Sequence, residues 1–300
     1  MQYTATGSNR RISFAQVAGS PATPSMTSLP VRSFAVAESR ETINDPSITG
    51  YGVASKTRLG NRSVAGNVVV SYKPRVTDPW LESFFGNSYA NNVITNGKEN
   101  VPILFEDTQT DAATPYSYSY HDCFANTLNL NISDGNGSTL EFGFVGVDFK
   151  TNTTLLDSTP TPATDHDPYV HLDCVFKMGS TVIGYMTSFS FAGTRNLTAN
   201  NVLGSKQAYS ITKGNMGLTG TFTVLAKDSA MMTRYFNETR EPLVVEATNG
   251  TFKDVWTIHN PLFTAVSTPL DSDGATIQTV NWVGDPTADF KVLSHQRVDL

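Results

Sequence analysis

An internal repeat constrains the fold of this chain more than any other feature of its sequence. The run Ser33–Ala37 is matched 155 positions later by Ser188–Ala192, and Gly60–Gly66 is matched 154 positions later by Gly214–Gly220. Two further matches follow in the same order, with shifts of 151 and 138 positions: Trp80–Phe85 with Met231–Phe236, and Phe144–Gly146 with Trp282–Gly284. Because the order is kept and the shift falls in small steps, the pattern predicts one fold present twice, with loops of different length.

The repeat divides the 300 residues into two modules of similar size. We predict an N-terminal arm and first module over residues 1–150, a linker over 151–168 and a second module over 169–300. Modules of roughly 130–150 residues are large enough to bury a core. Two copies of one fold carry two copies of one surface, which suits a ring or array better than a single catalytic cleft.

The composition is that of a β-rich protein with many turns. Hydrophobic residues make up 39% of the chain and charged residues only 16%, while Ser, Thr, Asn and Gly are abundant. The formal net charge of −6 means that the surface as a whole does not attract nucleic acid. Residues 1–8 lack the apolar core of a signal peptide, and no run is long and apolar enough to cross a bilayer. Synthesis and assembly in a cytoplasm are therefore expected.

The clearest helix signal begins at Asp78 and ends at Gly86. Asp78 is predicted to accept hydrogen bonds from free N–H groups of the first turn, and Pro79 loses no needed donor at this position. Gly86 can take the left-handed conformation that ends a helix. Residues three and four positions apart give the helix one apolar face, which consists of Leu81, Phe84 and Phe85.

The second module repeats this helix with different residues. Asp228 is predicted to cap its start, and Asn237 is predicted to take the left-handed conformation at its end. The predicted apolar face consists of Met232, Tyr235 and Phe236. On this basis Phe85 and Phe236 are both expected to be core residues whose replacement by aspartate abolishes folding.

Alternation of apolar and polar residues predicts the strands. The arm has one short strand, Ile12–Ala15, before the strand of the first repeat run, Ser33–Val36. The other predicted strands of the first module are Ser63–Tyr72, Val101–Phe105, Ala125–Ile132 and Leu140–Phe149, and those of the second are Leu243–Ala247, Trp256–Ile258 and Ile277–Val283. The expected fold class is therefore mainly β, with one short helix in each module.

The two cysteines, Cys123 and Cys174, do not occupy equivalent positions of the repeat, and buried thiols are expected rather than a disulfide. Together with His121 and His171 they could supply two His and two Cys to a zinc ion. Their spacing is not that of a zinc finger, and structural zinc sites usually contain a paired Cys-x-x-Cys. No metal is therefore expected.

Other short motifs indicate turns rather than sites. Asp271–Gly274 resembles part of a calcium loop, but no bidentate Glu follows at the required distance. Asp165–Asp167 lies in the linker and is expected to be solvated. The sequence contains no Gly-x-Ser-x-Gly elbow, phosphate loop or dinucleotide motif, and it predicts neither an enzyme nor a cofactor site.

Two long polar segments, Ser39–Arg62 and Thr194–Gly217, are the better functional candidates because they fall at equivalent positions of the two modules. Each has an Arg near its start, a Lys in its middle and Gly-Asn near its end. The alternative is that both are ordinary surface loops. We predict that charged residues in these segments contact other subunits or rings: Arg40, Glu41, Lys56, Arg58, Arg62, Arg195, Lys206 and Lys213. The arginines of the first segment are expected to pair with carboxylates of neighbouring chains, such as Glu38 and Glu41.

The first module contains runs that resemble those of one protein family: Ser39–Thr42, Arg58–Gly66, Asp78–Gly86, Tyr116–Leu130 and an arm with Phe14 and Pro24. The family is that of the tail tube proteins of long-tailed, non-contractile bacteriophages. Through the repeat, the resemblance extends to most of the second module. The region around Cys123 has no clear counterpart there.

The resemblance implies a fold for each module: an orthogonal β-sandwich with one flanking α-helix and a long hairpin loop. Rings of such modules stack into a hollow tube, and strands from every module join an inner β-barrel. Because six modules make a ring in this family, three chains with two modules each would complete one. The implied partners are further copies of the chain, the tape-measure protein, and the tail tip and terminator proteins.

The resemblance also implies a location and a cargo. The protein would be part of the phage virion, assembled in the cytoplasm of the host bacterium, with DNA as a non-specific, transient cargo. The net charge of −6 predicts an acidic lumen that repels phosphates rather than holding them.

A pair of β-sandwich modules that bind carbohydrate or a receptor, on a virion or cell surface, is the alternative from another class. Such a module needs exposed aromatic side chains on one face of a sheet, and Tyr116, Tyr118 and Tyr120 alternate in that way.

Overall fold

The computed structural model describes residues 9–44, 56–109, 116–133, 135, 137–269 and 275–300. The strands of the first half are β1 Arg10–Gln16, β2 Thr27–Ser28, β3 Ser33–Phe34, β4 Ala37–Ile43, β5 Arg58–Ser71, β6 Val93–Thr95, β7 Ile103–Gln109, β8 Tyr116–Ser133, β9 Thr139–Gly146, β10 Asp148–Asn152 and β11 Thr161–Pro162. Those of the second half are β12 Cys174–Met178, β13 Thr181–Val182, β14 Met186–Thr194, β15 Thr198–Asn201, β16 Ala208–Thr212, β17 Gly217–Leu225, β18 Leu243–Thr248, β19 Phe252–Ile258, β20 Pro261–Ser267, β21 Ile277–Gly284 and β22 Leu293–Asp299. The helices are α1 Asp78–Phe85 and α2 Ala230–Phe236, and the predicted mainly β fold is confirmed.

Each half of the chain builds its own outer sheet. In the first half the strands pair in the order β2–β1–β7–β8–β10. In the second half they pair in the order β13–β12–β18–β19–β22, and β6 of the first half joins this sheet beside β22. All of these pairs are antiparallel, and in both halves the sheet begins with a hairpin of two consecutive strands.

A further sheet, called here the continuous sheet, runs through both halves in the order β4–β5–β9–β8–β14–β17–β21–β20, with β3 beside the far end of β5. The long strand β8 serves two sheets, because its first part pairs with β7 and β10 and its second part pairs with β9 and β14. Among the described residues the continuous sheet does not close on itself, so β4 with β3 forms one edge and β20 forms the other.

The offsets of the sequence repeat reappear in the strand register. Ala37 pairs with Ala65 as Ala192 pairs with Thr219, at offsets of 155 and 154 positions. The strand pair β9–β8 has a bulge between Ala125 and Thr127, and the pair β21–β20 has one between Phe263 and Ala265, 138 positions later. The two halves of the continuous sheet, β4–β5–β9–β8 and β14–β17–β21–β20, therefore have the same order and the same irregularity.

The core lies between the continuous sheet and the outer sheets. In the first half, Phe105 of the outer sheet packs against Phe144 of the continuous sheet, with 4.8 Å between ring centroids. Trp80 of α1 is fully buried and stands edge-on to four phenylalanines: Phe14, Phe105, Phe142 and Phe144. In the second half, Phe176 of the outer sheet packs against Phe189 of the continuous sheet, with 5.4 Å between ring centroids. These contacts give each half a two-layer sandwich.

Helix α1 agrees with its prediction except at its start. Gly86 has the left-handed conformation (φ 64°), and the predicted face is buried. Asp78, however, does not cap the first turn. Its carboxylate accepts a hydrogen bond from Arg297 at 2.5 Å, because the last strand of the chain passes beside the helix.

Helix α2 differs more from its prediction. Asp228 does accept a hydrogen bond from the N–H of Ala230 at 2.9 Å. The left-handed residue after the helix is Glu238 (φ 48°) and not Asn237 (φ −87°). Only Met231 of this helix is buried, and Phe236 is 74% exposed, so the expected core role of Phe236 is wrong.

The segment 151–168 lies against the first half. It begins in β10, and its strand β11 pairs with β2 in parallel. The N–H of Leu156 donates to the Glu106 carboxylate at 2.7 Å, and Asp157 accepts from the N–H of Met26 at 2.9 Å. The predicted strand Leu140–Phe149 is in fact the two strands β9 and β10. The arm strand β1 lies inside the outer sheet, between β2 and β7.

Candidate assembly surfaces

The junction between the two halves is a continuous stretch of paired backbone. Strand β8 pairs with β14 over seven residue pairs, from Thr127 with Thr194 to Ser133 with Ser188. Strand β14 begins the second half of the continuous sheet, and β8 ends the first. The chain therefore joins its own halves edge to edge, which protects both edges from other pairing.

Aromatic side chains bury the end of α1 at this junction. Phe85 is fully buried and stacks on Trp256 of the second half, with 6.5 Å between ring centroids. The indole N–H of Trp256 donates to the Tyr72 hydroxyl at 2.7 Å. Phe85 and Tyr72 belong to the first half, so the second half of the chain packs on the apolar end of α1.

Arg195 holds the same helix end through backbone oxygens. Its guanidinium is buried and donates to the carbonyls of Phe85 at 2.6 Å and Gly97 at 3.2 Å. The last carbonyls of a helix have no partner within the helix and carry partial negative charge, so a cation is favourable there. Burial lowers the pKa of Arg195 from its usual value.

Lys213 binds next to Arg195. Its ammonium group donates to the carbonyl of Lys98 at 2.9 Å and to that of Glu99. Burial, with the nearby charge of Arg195, lowers the pKa of Lys213 to about 8. Two of the residues predicted to form assembly contacts thus bind the first half of their own chain.

The hairpin β15–β16 of the segment Thr194–Gly217 also reaches the first half. The carbonyl of Lys206 accepts a hydrogen bond from the N–H of Arg62 at 2.8 Å. The Gln207 amide donates to the Asp148 carboxylate at 2.5 Å. Leu203 and Tyr209 on the same hairpin are exposed, as is the side chain of Lys206.

In its other hydrogen bonds, the described part of the segment Ser39–Arg62 binds its own half. Strands β4 and β5 extend into it, and residues 45–55 lie outside the described residues. Arg40 and Arg62 both donate to Glu38 of the same chain, at 2.8 and 2.7 Å, and the pairing of these arginines with carboxylates of neighbouring chains stays a prediction. Burial opposes ionisation of Glu38, but the hydrogen bonds from both arginines outweigh it and lower its pKa. The other predicted residues of this segment are exposed: Glu41, Lys56 and Arg58.

Replacement of Arg195 by alanine is expected to destabilise the chain by about 2–4 kcal/mol, because the carbonyls of Phe85 and Gly97 lose a charged donor in a buried place. Urea unfolding of the purified monomer measures this loss. The matched control is Arg58→Ala, at an exposed position on the other hairpin. Equal midpoints for the two variants would contradict the role given to Arg195.

The face of the continuous sheet that points away from the core is polar and nearly uncharged. On the central strands β8, β9, β14, β17 and β21, alternate residues point outward, and most are Ser, Thr or Asn. Among these described positions Glu141 is the one ionisable residue, and it accepts a hydrogen bond from the Asn67 amide at 2.5 Å. A surface of hydroxyls and amides can be wetted without offering a charged site to an anion.

The tyrosine row of the alternative interpretation is not an exposed platform. Tyr120 is buried, and Tyr116 and Tyr118 are half-buried. Tyr118 and Tyr120 both pack on Phe149, with ring centroids 5.6 and 5.3 Å away. These side chains are therefore occupied by packing within the first half.

The described residues contain no group of three or more His, Cys, Asp and Glu that could hold a metal ion. Cys123 is buried and Cys174 is half-buried, and both are free thiols. Burial raises the pKa of both, that of Cys174 to about 12. The candidate calcium loop Asp271–Gly274 lies outside the described residues. No helix in the described part of the chain is long and apolar enough to cross a membrane.

Sequence reasoning placed Arg195 and Lys213 in a functional segment but missed their partners on the first half. It also predicted a core position for Phe236, whose side chain lies on the surface. The repeat carried the signal for both, since Arg40 and Phe236 are the counterparts of Arg195 and Phe85.

Comparison with known proteins bears on the identity of this fold. A comparison with curated proteins finds no match. The family model for the phage tail tube protein matches residues 7–284, which include both halves of the continuous sheet and both helices. The chain therefore belongs to the phage tail tube protein family.

Proposed function

We propose that this protein forms rings of three chains, that each chain supplies two equivalent modules, and that the rings stack into the tail tube of a long-tailed, non-contractile phage. The division into modules over 1–150 and 169–300 is part of this proposal. One observation carries it: the two halves of the continuous sheet have the same strand order, offsets and bulge, and the sheet ends in two open edges. Closing such edges around a ring removes the exposed backbone of β4 and β20.

The tube would conduct DNA during ejection. The outward face of the central strands becomes the lumen when the continuous sheets of neighbouring chains join. The net charge of −6 led us to expect an acidic lumen, yet this face carries Glu141 and no Lys or Arg on the described central strands. Weak binding follows from the lack of cations, because phosphate contacts supply most of the non-specific affinity for DNA. DNA is thus a transient cargo with no specific site.

The role is structural rather than enzymatic. The tail tube family supports self-assembly and a place in the virion. We propose the tape-measure protein and the tail tip and terminator proteins as further partners, with assembly in the cytoplasm of the host. The carbohydrate-binding alternative loses its motivating feature, because Tyr120 is buried and its neighbours are half-buried.

Electron microscopy of concentrated protein tests the ring. We expect hollow tubes whose reconstruction, calculated without imposed symmetry, shows three chains and six similar modules in each ring. Six chains in each ring would contradict the trimeric ring but not the formation of a tube. Isolated particles at all concentrations would count against the tube itself, with the tape-measure protein added as a control for assisted assembly.

Hydrogen exchange tests the two hairpins separately. Residues 194–217 are expected to be protected already in the monomer, because Arg195 and Lys213 anchor them to the first half. The described parts of the other segment, residues 37–44 and 56–62, are expected to gain protection in the tube. Equal protection of residues 37–44 and 56–62 in monomer and tube would contradict the role of this segment in assembly.

A further inference from the structure

We propose that the seam between neighbouring chains repeats the seam within the chain. In this arrangement, β20 and the exposed end of α2 in one copy receive the β3–β4 edge and Arg40 of a second copy. The inference deepens the proposed function, on which it rests, by naming the partner surfaces and their register.

The strand edges define the register. Strand β20 is the counterpart of β8, because each pairs with its neighbour at the same offset and has the same bulge. Strand β4 is the counterpart of β14, since both pair with the next strand of their half in matching register. The pairs Asn129–Ala192 and Thr127–Thr194 of the inner seam therefore correspond to new pairs between chains: Ser267 with Ala37, and Ala265 with Ser39.

These edge residues are available for pairing. Ala37, Ser39, Ala265 and Ser267 are all exposed in the single chain. All four side chains are small and uncharged, so another strand can approach without burying an unpaired charge. A long unprotected edge normally carries charges or Pro that prevent pairing. The four positions that would pair lack such charges, and the charges of β4 lie beside them at Glu38, Arg40 and Glu41, which favours a second copy as the occupant.

Helix α2 supplies the apolar part of the surface. Its counterpart α1 ends in Phe85, which is fully buried and stacks on Trp256 of the second half. Phe236 occupies the same place on α2 and is 74% exposed, and Tyr235 beside it is half-buried. The first half of a second copy would cover Phe236 as the second half covers Phe85.

Arg40 supplies the polar part. It lies 155 positions before Arg195, which binds the Phe85 carbonyl at the end of α1. The matching acceptor is the carbonyl of Phe236, at the end of α2, where carbonyls lack partners within the helix. In the single chain Arg40 lies exposed on Glu38, so it can exchange this contact for the helix end of a neighbour while Arg62 keeps Glu38 paired.

One contact of the inner seam cannot be copied without change. Gly193 stands so close to Phe84 that a Cβ there would lie 2.7 Å from the ring. The counterparts are Glu38 and Tyr235, which are both larger. Helix α2 must therefore stand farther from the edge than α1 does, and a carboxylate facing a phenol can accept a hydrogen bond from it.

Disulfide trapping tests the register. In the variant Ala37→Cys with Ser267→Cys, oxidation of assembled protein is expected to link neighbouring chains and give a denaturing-gel ladder that ends at three chains. The control variant is Ala37→Cys with Ala265→Cys, whose residues are two register positions apart and too distant to bridge readily. The wild-type chain controls for Cys123 and Cys174. If tubes form without a disulfide between residues 37 and 267, or if the control variant forms disulfides equally well, the proposed seam is wrong while the tube function is unaffected. Failure of the wild-type chain to form tubes overturns both.

A second variant tests the role of the Arg40 guanidinium in assembly. Arg40→Ala is expected to raise the concentration needed for assembly about tenfold, in keeping with the loss of one charge-assisted hydrogen bond. Lys150→Ala, at an exposed position of the outer-sheet strand β10, is expected to assemble like the wild type. Equal assembly of both variants would overturn the role of Arg40.

Discussion

Aspartate in place of Phe236 is expected to give a folded, soluble monomer that no longer assembles, whereas aspartate in place of Phe85 is expected to prevent folding. Phe85 is fully buried against Trp256, and an unpaired carboxylate there costs several kcal/mol, on the order of the stability of a whole domain. Phe236 is 74% exposed, so a carboxylate at that position remains in water in the monomer. Thermal melting by circular dichroism reports folding, and sedimentation with electron microscopy reports assembly.

The two variants control each other, because the same substitution is made at counterpart positions. A cooperative melt of Phe85→Asp near the wild-type temperature would show that the second half does not need this ring. Normal tubes from Phe236→Asp would show that α2 is not part of the interface. If Phe236→Asp failed to fold, Phe236 would have to be a core residue, although its side chain is exposed in the single chain.

Alanine at Gly66 or Gly220 is expected to destabilise the fold by about 2–4 kcal/mol, since both glycines lie where two strands approach closely. A Cβ at Gly66 would lie 2.1 Å from the carbonyl oxygen of Ala35. At Gly220 it would lie 2.5 Å from that of Ser190 and 2.2 Å from the Trp282 ring. Backbone atoms cannot move aside as the end of a flexible side chain can. Chemical denaturation of the soluble fraction measures the effect.

Gly184→Ala is the matched control, because a Cβ there meets nothing within 4 Å. We expect its unfolding midpoint to stay near that of the wild type. If Gly66→Ala and Gly220→Ala were as stable as this control, the close approach would not limit the fold. A large loss in only one of the two would show that the halves do not share this constraint.

The features predicted correctly from sequence are those that depend on neighbours in the chain. Helix α1 has a proline in its first turn, an apolar face at helical spacing and a glycine that takes the left-handed conformation. The offsets between repeat runs also translate directly into strand register, because one offset fixes the partners of a whole strand. Mainly β structure follows from the alternation along the strands.

The errors concern features that distant parts of the chain decide. Phe236 has the same local pattern as Phe85, yet its burial depends on whether another module covers it. Asp78 has the pattern of a capping residue, but Arg297, 219 positions away, takes its carboxylate. The partners of Arg195 and Lys213 are backbone carbonyls, which have no signature in the sequence.

Strand β6 makes the two kinds of seam unequal. It leaves the first half after α1 and pairs with β22 of the second half, from Val93 with Gln296 to Thr95 with Ser294. Residues 237–242, between α2 and β18, contain no such strand. In a ring of three chains, the outer layer would be joined by β6 at every second seam only. Under bending or internal pressure, such a ring would behave as three stiff blocks with three compliant joints, so that mechanical strain would collect along three lines of the tube rather than six.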